Sequence, residues 1–328
     1  MSPRISIGLP VYNGARFLDA SIRSLRAQTY GDFELIIADN ASTDESPDII
    51  ADHAADDDRI TVVRSAQNLG AARNFNIAYE RSRGELFKWA SDDDVCEPEY
   101  LARCAAALDE RPDAVWCQSR IGLVDPEQVE LTVGPAVGSG MSYVVADPAR
   151  GESAEAPTRG DAAAHRRLQA VLLETVGDGN WDVFGLVRRT AMERTGLQRP
   201  HYGADKVFVA ELALQGAFVE VDEPLFLGRL HERASGALDT VAAQRAWIDP
   251  LGRASFTLPR LQLLRAHLGA VLRADLPPAE RARCLRVIGA YGTQVSKWKR
   301  IVRGAVRREG TGGGYRPFLD EDVSHASR

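Results

Sequence analysis

Apolar residues in the first 120 positions form short runs that alternate with stretches of helical periodicity. The runs are rich in branched residues and predict five strands: Ile5–Leu9, Glu34–Ala38, Ile60–Val63, Glu85–Ala90 and Ala114–Cys117. Between them apolar residues recur every three or four positions, as they do in helices, and Asn13 and Thr43 are candidate helix caps. Alternating strands and helices predict an α/β fold with a mostly parallel sheet flanked by helices.

The second half of the chain has a different pattern. Residues 134–164 are rich in Gly, Pro, Ala and Ser and predict a long loop. An ordered block follows from about 165 to 230, with a strand at Val183–Val187 and a helix at Asp205–Gln215. Beyond residue 240 the periodicity is helical only, and the glycines at 310–314 predict a loose tail from about 310.

Two apolar stripes mark the helices of this last segment. One is formed by Leu258, Leu261, Leu264 and Leu268, and the other by Leu285, Ile288, Val295, Trp298 and Val302. Cationic residues surround the second stripe at 297–308. We expect the stripes to pack on the rest of the protein; peripheral contact of residues 279–308 with an anionic membrane surface, or pairing with a second copy in a homo-oligomer, are the alternatives.

Charge separates the same two parts of the chain. Residues 241–328 carry 16 Lys and Arg against 7 Asp and Glu, a balance of +9, and the first 240 residues carry −15, for a net charge of −6. The acidic body excludes nucleic acid as a partner, because binding phosphate backbones requires a basic face.

The cellular compartment is predicted from what the composition lacks. The four cysteines show no Cys-x-x-Cys spacing, so buried reduced thiols are expected in place of a zinc site. A long uncharged apolar run and a signal-peptide pattern are also missing. We therefore expect a cytoplasmic protein, with the inner face of the membrane as the place of any membrane contact.

Three acidic features are candidates for chemistry, because ligands of open parallel sheets bind beyond the carboxyl ends of the strands. Asp92, Asp93 and Asp94 follow the fourth strand, and neighbouring carboxylates repel one another unless a cation or solvent screens them. Asp39 follows the second strand and is a pure acceptor, suited to the imide N–H of uracil, thymine or guanine. Asp205 opens a helix. Solvated turns and helix caps are the alternative interpretations of all three.

An ordered set of motifs resembles glycosyltransferase family 2. The motifs are Pro10-Val11-Tyr12-Asn13-Gly14, Asp39-Asn40-Ala41-Ser42-Thr43-Asp44, Asn68-Leu69-Gly70-Ala71-Ala72-Arg73-Asn74, Ser91-Asp92-Asp93-Asp94, Gly203-Ala204-Asp205 and Arg229-Leu230-His231. The resemblance covers about the first 235 residues. It implies a GT-A fold over 1–236, with a nucleotide-binding half at about 1–120 and an acceptor half at about 165–236, followed by a basic helical extension at 237–328.

The resemblance also implies the roles of individual residues. Asp205 aligns with the catalytic base and Asp93 with the metal-binding carboxylate, while Asp94 compensates for Ser91, which stands where the family has its first carboxylate. The donor is expected to contact a set spread over five motifs: Pro10, Tyr12, Asn13, Asp39, Arg73, Asp92 and His231. An exposed loop histidine is the alternative for His231. Trp181 is a candidate for stacking on an acceptor sugar, with simple packing as an equal alternative.

The function expected from the family is inverting transfer of one sugar per encounter. The donor is a nucleotide-diphospho-sugar with UDP, dTDP or GDP, and the metal is Mn²⁺ or Mg²⁺. The acceptor is a hydroxyl of a glycan, a lipid-linked glycan or a small molecule, in cell-surface glycan or glycoconjugate biosynthesis. A non-catalytic sugar-nucleotide-binding scaffold is the alternative, and a sugar nucleotidyltransferase is a weaker one, because the glycine-rich basic loop it needs after the first strand is missing.

Overall fold

The computed structural model describes residues 2–128, 131–132, 158–174, 181–232, 247–250, 259–294 and 324–325. The strands are β1 (Ile5–Val11), β2 (Phe33–Asp39), β3 (Ile60–Arg64), β4 (Leu86–Trp89), β5 (Val95–Cys96), β6 (Ala114–Val124), β7 (Leu131–Thr132), β8 (Leu186–Arg188), β9 (Ala217–Arg229) and β10 (Ser324–His325). The α-helices are α1 (Ala15–Arg26), α2 (Ser46–Ala55), α3 (Ala71–Glu80), α4 (Tyr100–Glu110), α5 (Ala164–Gln169), α6 (Arg189–Met192), α7 (Ala204–Gln215), α8 (Pro259–Arg273) and α9 (Pro278–Thr293). A π-helical turn follows at Ala170–Glu174, and a 3₁₀ turn lies at Trp181–Phe184.

Eight strands form one mixed sheet in the order β3-β2-β1-β4-β8-β6-β9-β5. The pairs β1–β2, β1–β4, β2–β3 and β6–β9 are parallel. The short strand β8 runs antiparallel to both β4 and β6, and β5 runs antiparallel to β9. The predicted α/β class with a mostly parallel sheet is confirmed. The carboxyl ends of β1, β2 and β4 lie at one edge of the sheet, which is where a ligand of this fold class binds.

The central strands are apolar because helices cover both of their faces. Every residue of β1 and of β2 is buried. Pro10 is tolerated in β1 because β4 ends at Trp89, which pairs with Gly8, so the position beside Pro10 needs no backbone donor towards β4. One apolar cluster joins β1 to residues of α1 and α4, and a second joins Phe87, Trp89 and Trp116 to Phe208 of α7.

The helices beyond residue 237 pack on this body. Buried residues of α8 and α9 form one cluster with Leu168 of α5 and Leu214 of α7; its members from the two helices are Ala270, Val271, Cys284, Val287, Ile288 and Tyr291. The expected packing is thus observed for α8 and α9. Residues 295–323, with the basic stretch and the tail, lie outside the described residues, as does the boundary predicted at 236.

The predicted stripes of these helices are partly wrong. Leu268 and Leu285 are 38% and 36% exposed, whereas Leu263 and the polar His267 are buried. The stripe of α8 is shifted because this helix packs along α7 and α9 at once, so buried positions follow two contact lines in place of one. Leu258, Val295, Trp298 and Val302 lie outside the described part of the chain.

Several local predictions also need correction. The predicted strand Val183–Val187 is a 3₁₀ turn followed by the short β8. Gly14 stands at the N-cap of α1 in place of Asn13, and Glu45 at that of α2 in place of Thr43. All four cysteines are buried and free, as expected. Within the described residues, none of the helices has the length and apolarity required to span a lipid bilayer.

Candidate functional site

The first part of the site lies where β1 and β2 end. Asp39, the last residue of β2, is only 2% exposed. Its Oδ1 accepts the Ser42 backbone N–H at 2.9 Å, while Oδ2 has no hydrogen-bond partner among the described residues, although Arg64 Nε lies 3.2 Å away. A buried carboxylate oxygen without a hydrogen bond is costly, so Oδ2 is well suited to accept an N–H from a ligand. Pro10 is buried next to this strand end, and Tyr12 is 44% exposed.

The turn after β1 is held by side chains of the turn after β2. Asn13 has a positive φ of 53°, and its Oδ1 accepts the Thr43 backbone N–H at 2.8 Å. The Gly14 and Ala15 backbone N–H groups donate to Ser46 Oγ at 3.0 Å and to Asp44 Oδ2 at 3.1 Å. Asn13 is therefore a link between two turns in this structure, and its predicted contact with the donor stays a prediction.

A third turn is fixed to the same place by Asn40. Its side-chain amide donates to Asn68 Oδ1 at 2.9 Å, and its Oδ1 accepts the Leu69 backbone N–H at 2.8 Å. Gly70 follows with a φ of 86° and is the N-cap of α3. The backbone of 68–70 and the ends of β1 and β2 thus form one rigid frame around Asp39.

The acidic triplet follows β4, and Asp93 is its most connected member. Asp93 Oδ2 lies 2.9 Å from His231 Nε2, and Asp93 Oδ1 accepts a hydrogen bond from the Ser91 hydroxyl. The His231 side chain is only 5% exposed, and its ring packs on Phe17 with 4.7 Å between centroids. The structure therefore brings together two residues that are 138 positions apart, and the exposed-loop alternative for His231 is wrong.

Asp94 faces the protein interior. It is 7% exposed, and its Oδ1 accepts the Arg229 backbone N–H at 2.9 Å. The Arg229 guanidinium in turn donates to the backbone carbonyls of Asp93, Asp125 and Pro126 at 2.8–3.1 Å. Asp94 thus fixes the end of β9 beside the triplet, an arrangement that favours a structural role over the metal-binding role expected for it.

Asp92 lies against the turn after β1. A Cβ built on Gly14 would be 2.2 Å from Asp92 Oδ2, so the glycine is what allows the carboxylate this position. Burial, and then the charge of Asp93, raises the pKa of Asp92 to about 8, and the same two causes raise the pKa of Asp94. Asp92 and Asp94 therefore favour their neutral form in the absence of a cation, and a bound cation would favour the ionised form.

A divalent metal fits here only in a mode that uses few protein ligands. The described residues contain no group of three or more His, Cys, Asp or Glu arranged to hold a metal ion. Mg²⁺ commonly binds through one or two carboxylates together with substrate phosphates. Asp93 is suited to this mode, because its side chain is 24% exposed and lies between two other carboxyl groups at the end of β4.

Asp205 lies in the first turn of α7, half-buried, after Gly203, which has a φ of 69°. Phe208, three residues later and so on the same face of the helix, packs on Trp89 with 5.1 Å between ring centroids. Trp89 is the last residue of β4, and the acidic triplet begins three residues after it. Asp205 therefore lies one helical turn before Phe208, the residue of α7 that packs on the last residue of β4.

Two predicted residues lie apart from these groups. Arg73, 48% exposed at its side chain, forms an ion pair with Glu80 at the other end of α3. The indole of Trp181 packs against Gly228, where a Cβ would be 2.8–3.1 Å from its ring atoms, and its carbonyl accepts the Gln118 side-chain amide. This favours the packing interpretation of Trp181. Roles for Arg73 and Trp181 toward a ligand stay predictions.

Sequence reasoning missed three basic residues of this region. Arg64 lies beside Asp39, and the Arg229 guanidinium donates to the Asp93 backbone carbonyl. The fully buried Lys88 on β4 donates to the Trp89 carbonyl at 3.0 Å. Arg229 belongs to the motif Arg229-Leu230-His231, in which the family resemblance implies a role for His231 alone. A lysine inside the apolar run of β4 was the available signal for Lys88.

Comparison with known proteins places these features in a family. The chain is 36% identical over 117 residues to the putative glycosyltransferase EpsH of Bacillus subtilis (strain 168), which covers 35% of this chain and 33% of EpsH. It is 32% identical over 109 residues to the putative teichuronic acid biosynthesis glycosyltransferase TuaG of the same organism, covering 33% of this chain and 40% of TuaG. The matched part thus spans less than half the length of these relatives.

Solved structures resemble the chain over nearly its whole length. S. aureus TarS 1-349 in complex with UDP has a TM-score of 0.60 and 14% identity, covering 94% of this chain and 76% of that one. The mannosyltransferase PcManGT from Pyrobaculum calidifontis, in complex with GDP-Man and Mn²⁺, has a TM-score of 0.53 and 15% identity, covering 95% and 77%. The fold is accordingly that of GT-A glycosyltransferases.

A family model gives a more specific match than the solved structures do, over part of the chain. Residues 6–143 match the family model described as glycosyl transferase family 2. This matched segment, which includes β1 to β6 and the acidic triplet, is the part of the chain that is similar to glycosyl transferase family 2.

Proposed function

We propose that this protein transfers a sugar from a nucleotide-diphospho-sugar to an acceptor hydroxyl, with inversion at the anomeric carbon. The observation that carries the proposal is the Asp93–His231 pair at the carboxyl end of β4, with Asp205 on the helix that packs on that strand. TarS was solved with UDP and PcManGT with GDP-Man, which supports a sugar nucleotide as donor.

The nucleobase is proposed to bind at the end of β2. Asp39 Oδ2 is buried and accepts no hydrogen bond from any residue that the structure describes, so it can accept the imide N–H of uracil, thymine or guanine. Cytosine and adenine have no such donor. The half-exposed ring of Tyr12 lies at the mouth of this frame and can cover a base. UDP, dTDP and GDP sugars are therefore the candidate donors.

The diphosphate is proposed to lie beside the triplet. Asp93, oriented by His231 and Ser91, would hold Mn²⁺ or Mg²⁺ together with the phosphates, and the metal would offset charge that develops on the leaving diphosphate. Asp92 would face the ribose from its place against Gly14. The Mn²⁺ in the PcManGT complex supports a metal of this kind.

Asp205 is proposed as the general base. Its carboxylate would take the proton of the acceptor hydroxyl while that oxygen attacks the anomeric carbon opposite the diphosphate. One displacement forms the new glycosidic bond, breaks the bond to the diphosphate and inverts the configuration. The half-buried position of Asp205 in the first turn of α7 leaves it accessible to an acceptor.

The acceptor is proposed to be a glycan or glycoconjugate of the cell surface. Support comes from TuaG, whose description names teichuronic acid biosynthesis. The absence of the Gln-x-x-Arg-Trp motif of processive members supports addition of a single sugar. A cytoplasmic location, with contact at the inner membrane face through residues 279–308, completes the proposal.

Slow hydrolysis of donor without acceptor tests the proposal. Purified protein with Mn²⁺ is offered UDP, dTDP, GDP and CDP sugars, and we expect hydrolysis of one of the first three. Asp205→Asn should lower the rate by about a hundredfold or more, since general base catalysis contributes 10²–10⁴. Nucleotide binding by calorimetry should be unchanged. The matched control is Asp222→Asn, an exposed surface carboxylate that pairs with Arg120.

Two results would contradict the proposal. Undiminished hydrolysis by Asp205→Asn would remove this residue from the base role. Tight binding of sugar nucleotides with no turnover of any of them would favour the non-catalytic scaffold.

A further inference from the structure

Residues 247–250 and helix α8 contact the two helix starts on which the proposed site depends. Both starts have a glycine in the left-handed region at the N-cap: Gly70 before α3, with a φ of 86°, and Gly203 before α7, with a φ of 69°. An added Cβ on Gly70 would be 2.3 Å from the Ile248 carbonyl oxygen and 2.7 Å from Pro250 Cδ. The C-terminal segment therefore approaches the frame around Asp39 at close range.

The second contact lies next to the proposed base. An added Cβ on Gly203 would be 2.9 Å from Leu263 Cδ2, so the Leu263 side chain, 6% exposed, lies directly against the N-cap of α7. The Gly203 carbonyl accepts the Val207 backbone N–H at 3.2 Å and thereby begins the helix. Asp205 sits between these two residues, and its backbone direction is set by this first turn.

Ion pairs of the buried Glu211 carboxylate connect α7 with α8 further along the two helices. The Glu211 carboxylate of α7 is 6% exposed and lies 2.9 Å from Arg273 Nη2 at the end of α8. It also lies 2.6 Å from Arg199 Nη2 and accepts the Gly196 backbone N–H at 2.8 Å. Helix α8 thus contacts α7 at two places. Leu263 packs on the N-cap of α7, and Arg273 pairs with Glu211 in the third turn of α7, so the two helices have little freedom to slide.

We propose that helix α8 is a positioning element of the transfer site, in which Leu263, through Gly203, sets the place of Asp205. Leu263 is a positioning residue and touches no reacting atom. This inference rests on the proposed function of Asp205. It assigns a catalytic contribution to a segment that the sequence marks only as a helical extension.

The test compares kcat with KM in donor hydrolysis. Leu263→Ala removes the contact, Leu263→Met restores most of its volume, and Leu272→Ala on the same helix is the control, because Leu272 is 57% exposed. We expect Leu263→Ala to lower kcat about tenfold or more, since small displacements of catalytic groups cost up to a hundredfold. The donor KM should stay within about twofold, because donor-binding residues are untouched.

Rates are divided by the fraction of protein that binds nucleotide, measured by calorimetry, so that unfolded material does not count. Recovery of kcat in Leu263→Met and wild-type values in Leu272→Ala would support the inference. An unchanged kcat per binding site in Leu263→Ala would overturn it. Should this variant fail to fold, Leu263→Val is judged by the same criterion.

Failure of this inference differs from failure of the proposed function. Active Leu263→Ala beside inactive Asp205→Asn would refute only the positioning role. Active Asp205→Asn would refute the base assignment itself.

Discussion

At the scale of single residues, hydrogen bonding distinguishes the buried carboxylates of the site in their availability to a ligand. Asp39 keeps one buried oxygen without a hydrogen bond, whereas Asp94 is used by the Arg229 backbone. The sequence placed both at strand ends but could not tell them apart. The distinction depends on Arg229, which is 135 positions from Asp94, and such long-range partners leave no local pattern in the sequence.

The Asp39 oxygen that accepts no hydrogen bond from the described residues leads to a prediction about base preference. Asp39→Asn replaces one carboxylate oxygen by an amide N–H, so an imide N–H of the base loses its charged acceptor. We expect the preferred nucleotide diphosphate to bind about ten- to a hundredfold more weakly, because hydrogen bonds to charged groups contribute about 1.5–3 kcal/mol. Calorimetry with UDP, dTDP, GDP and CDP measures it, and the unfolding midpoint serves as a control for stability.

The ratio between nucleotides is the sharper readout of that variant. Selection against CDP should decrease, since Asn can donate to cytosine as well as accept. Equal weakening for all four nucleotides would mean that Asp39 only supports the turn at Ser42.

At the scale of elements, the first hundred residues were well predicted because their helices and strands are local. Strands β1 and β2 are buried on both faces, and such strands are recognisable in the sequence as nearly continuous apolar runs. The 3₁₀ turn at Trp181–Phe184 and the buried face of α8 were not predicted. Both depend on packing against α7, so neither periodicity nor propensity within their own segments contains the information.

The buried face of α8 makes its attachment sensitive to pH. His267 is 1% exposed, and burial, followed by the charges of His201, Lys206 and Arg199, lowers its pKa from 6.5 to about 3. The folded pKa lies below the unfolded one, so the stabilisation is complete above pH 6.5 and is lost as the pH falls from 6.5 towards 3. We expect up to about 2 kcal/mol of unfolding free energy to be lost between pH 7.5 and 5.

His267→Phe provides the comparison, because its ring can keep the edge-to-face contact with Tyr291. Denaturant unfolding of both proteins at pH 7.5 and pH 5 measures the effect. The unfolding free energy of the variant should increase relative to that of the wild type as the pH falls. A difference between the two proteins that does not change with pH would show that His267 is not the group responsible.

At the scale of the whole molecule, one sheet edge collects motifs that are far apart in the chain. The frame around Asp39, the triplet after β4 and His231 after β9 meet there, while α7, the helix that carries Asp205, packs on Trp89 of β4. The family match covers residues 6–143 only, so the roles proposed for α7, β9 and α8 depend on the motifs of the sequence and on the contacts of these elements. The C-terminal helices are part of this body through their cluster with α5 and α7.

The central claim is that the end of β4 binds a nucleotide diphosphate together with a divalent metal. Its most direct test is calorimetric titration of UDP, GDP and dTDP into the protein with Mn²⁺ and with chelator, using wild type and Asp93→Ala. We predict that one nucleotide binds at least about tenfold more tightly with Mn²⁺, a difference of about 1.4 kcal/mol, and that Asp93→Ala abolishes this gain. Binding of equal strength with Mn²⁺ and with chelator in the wild type, or an undiminished gain in Asp93→Ala, would contradict the account.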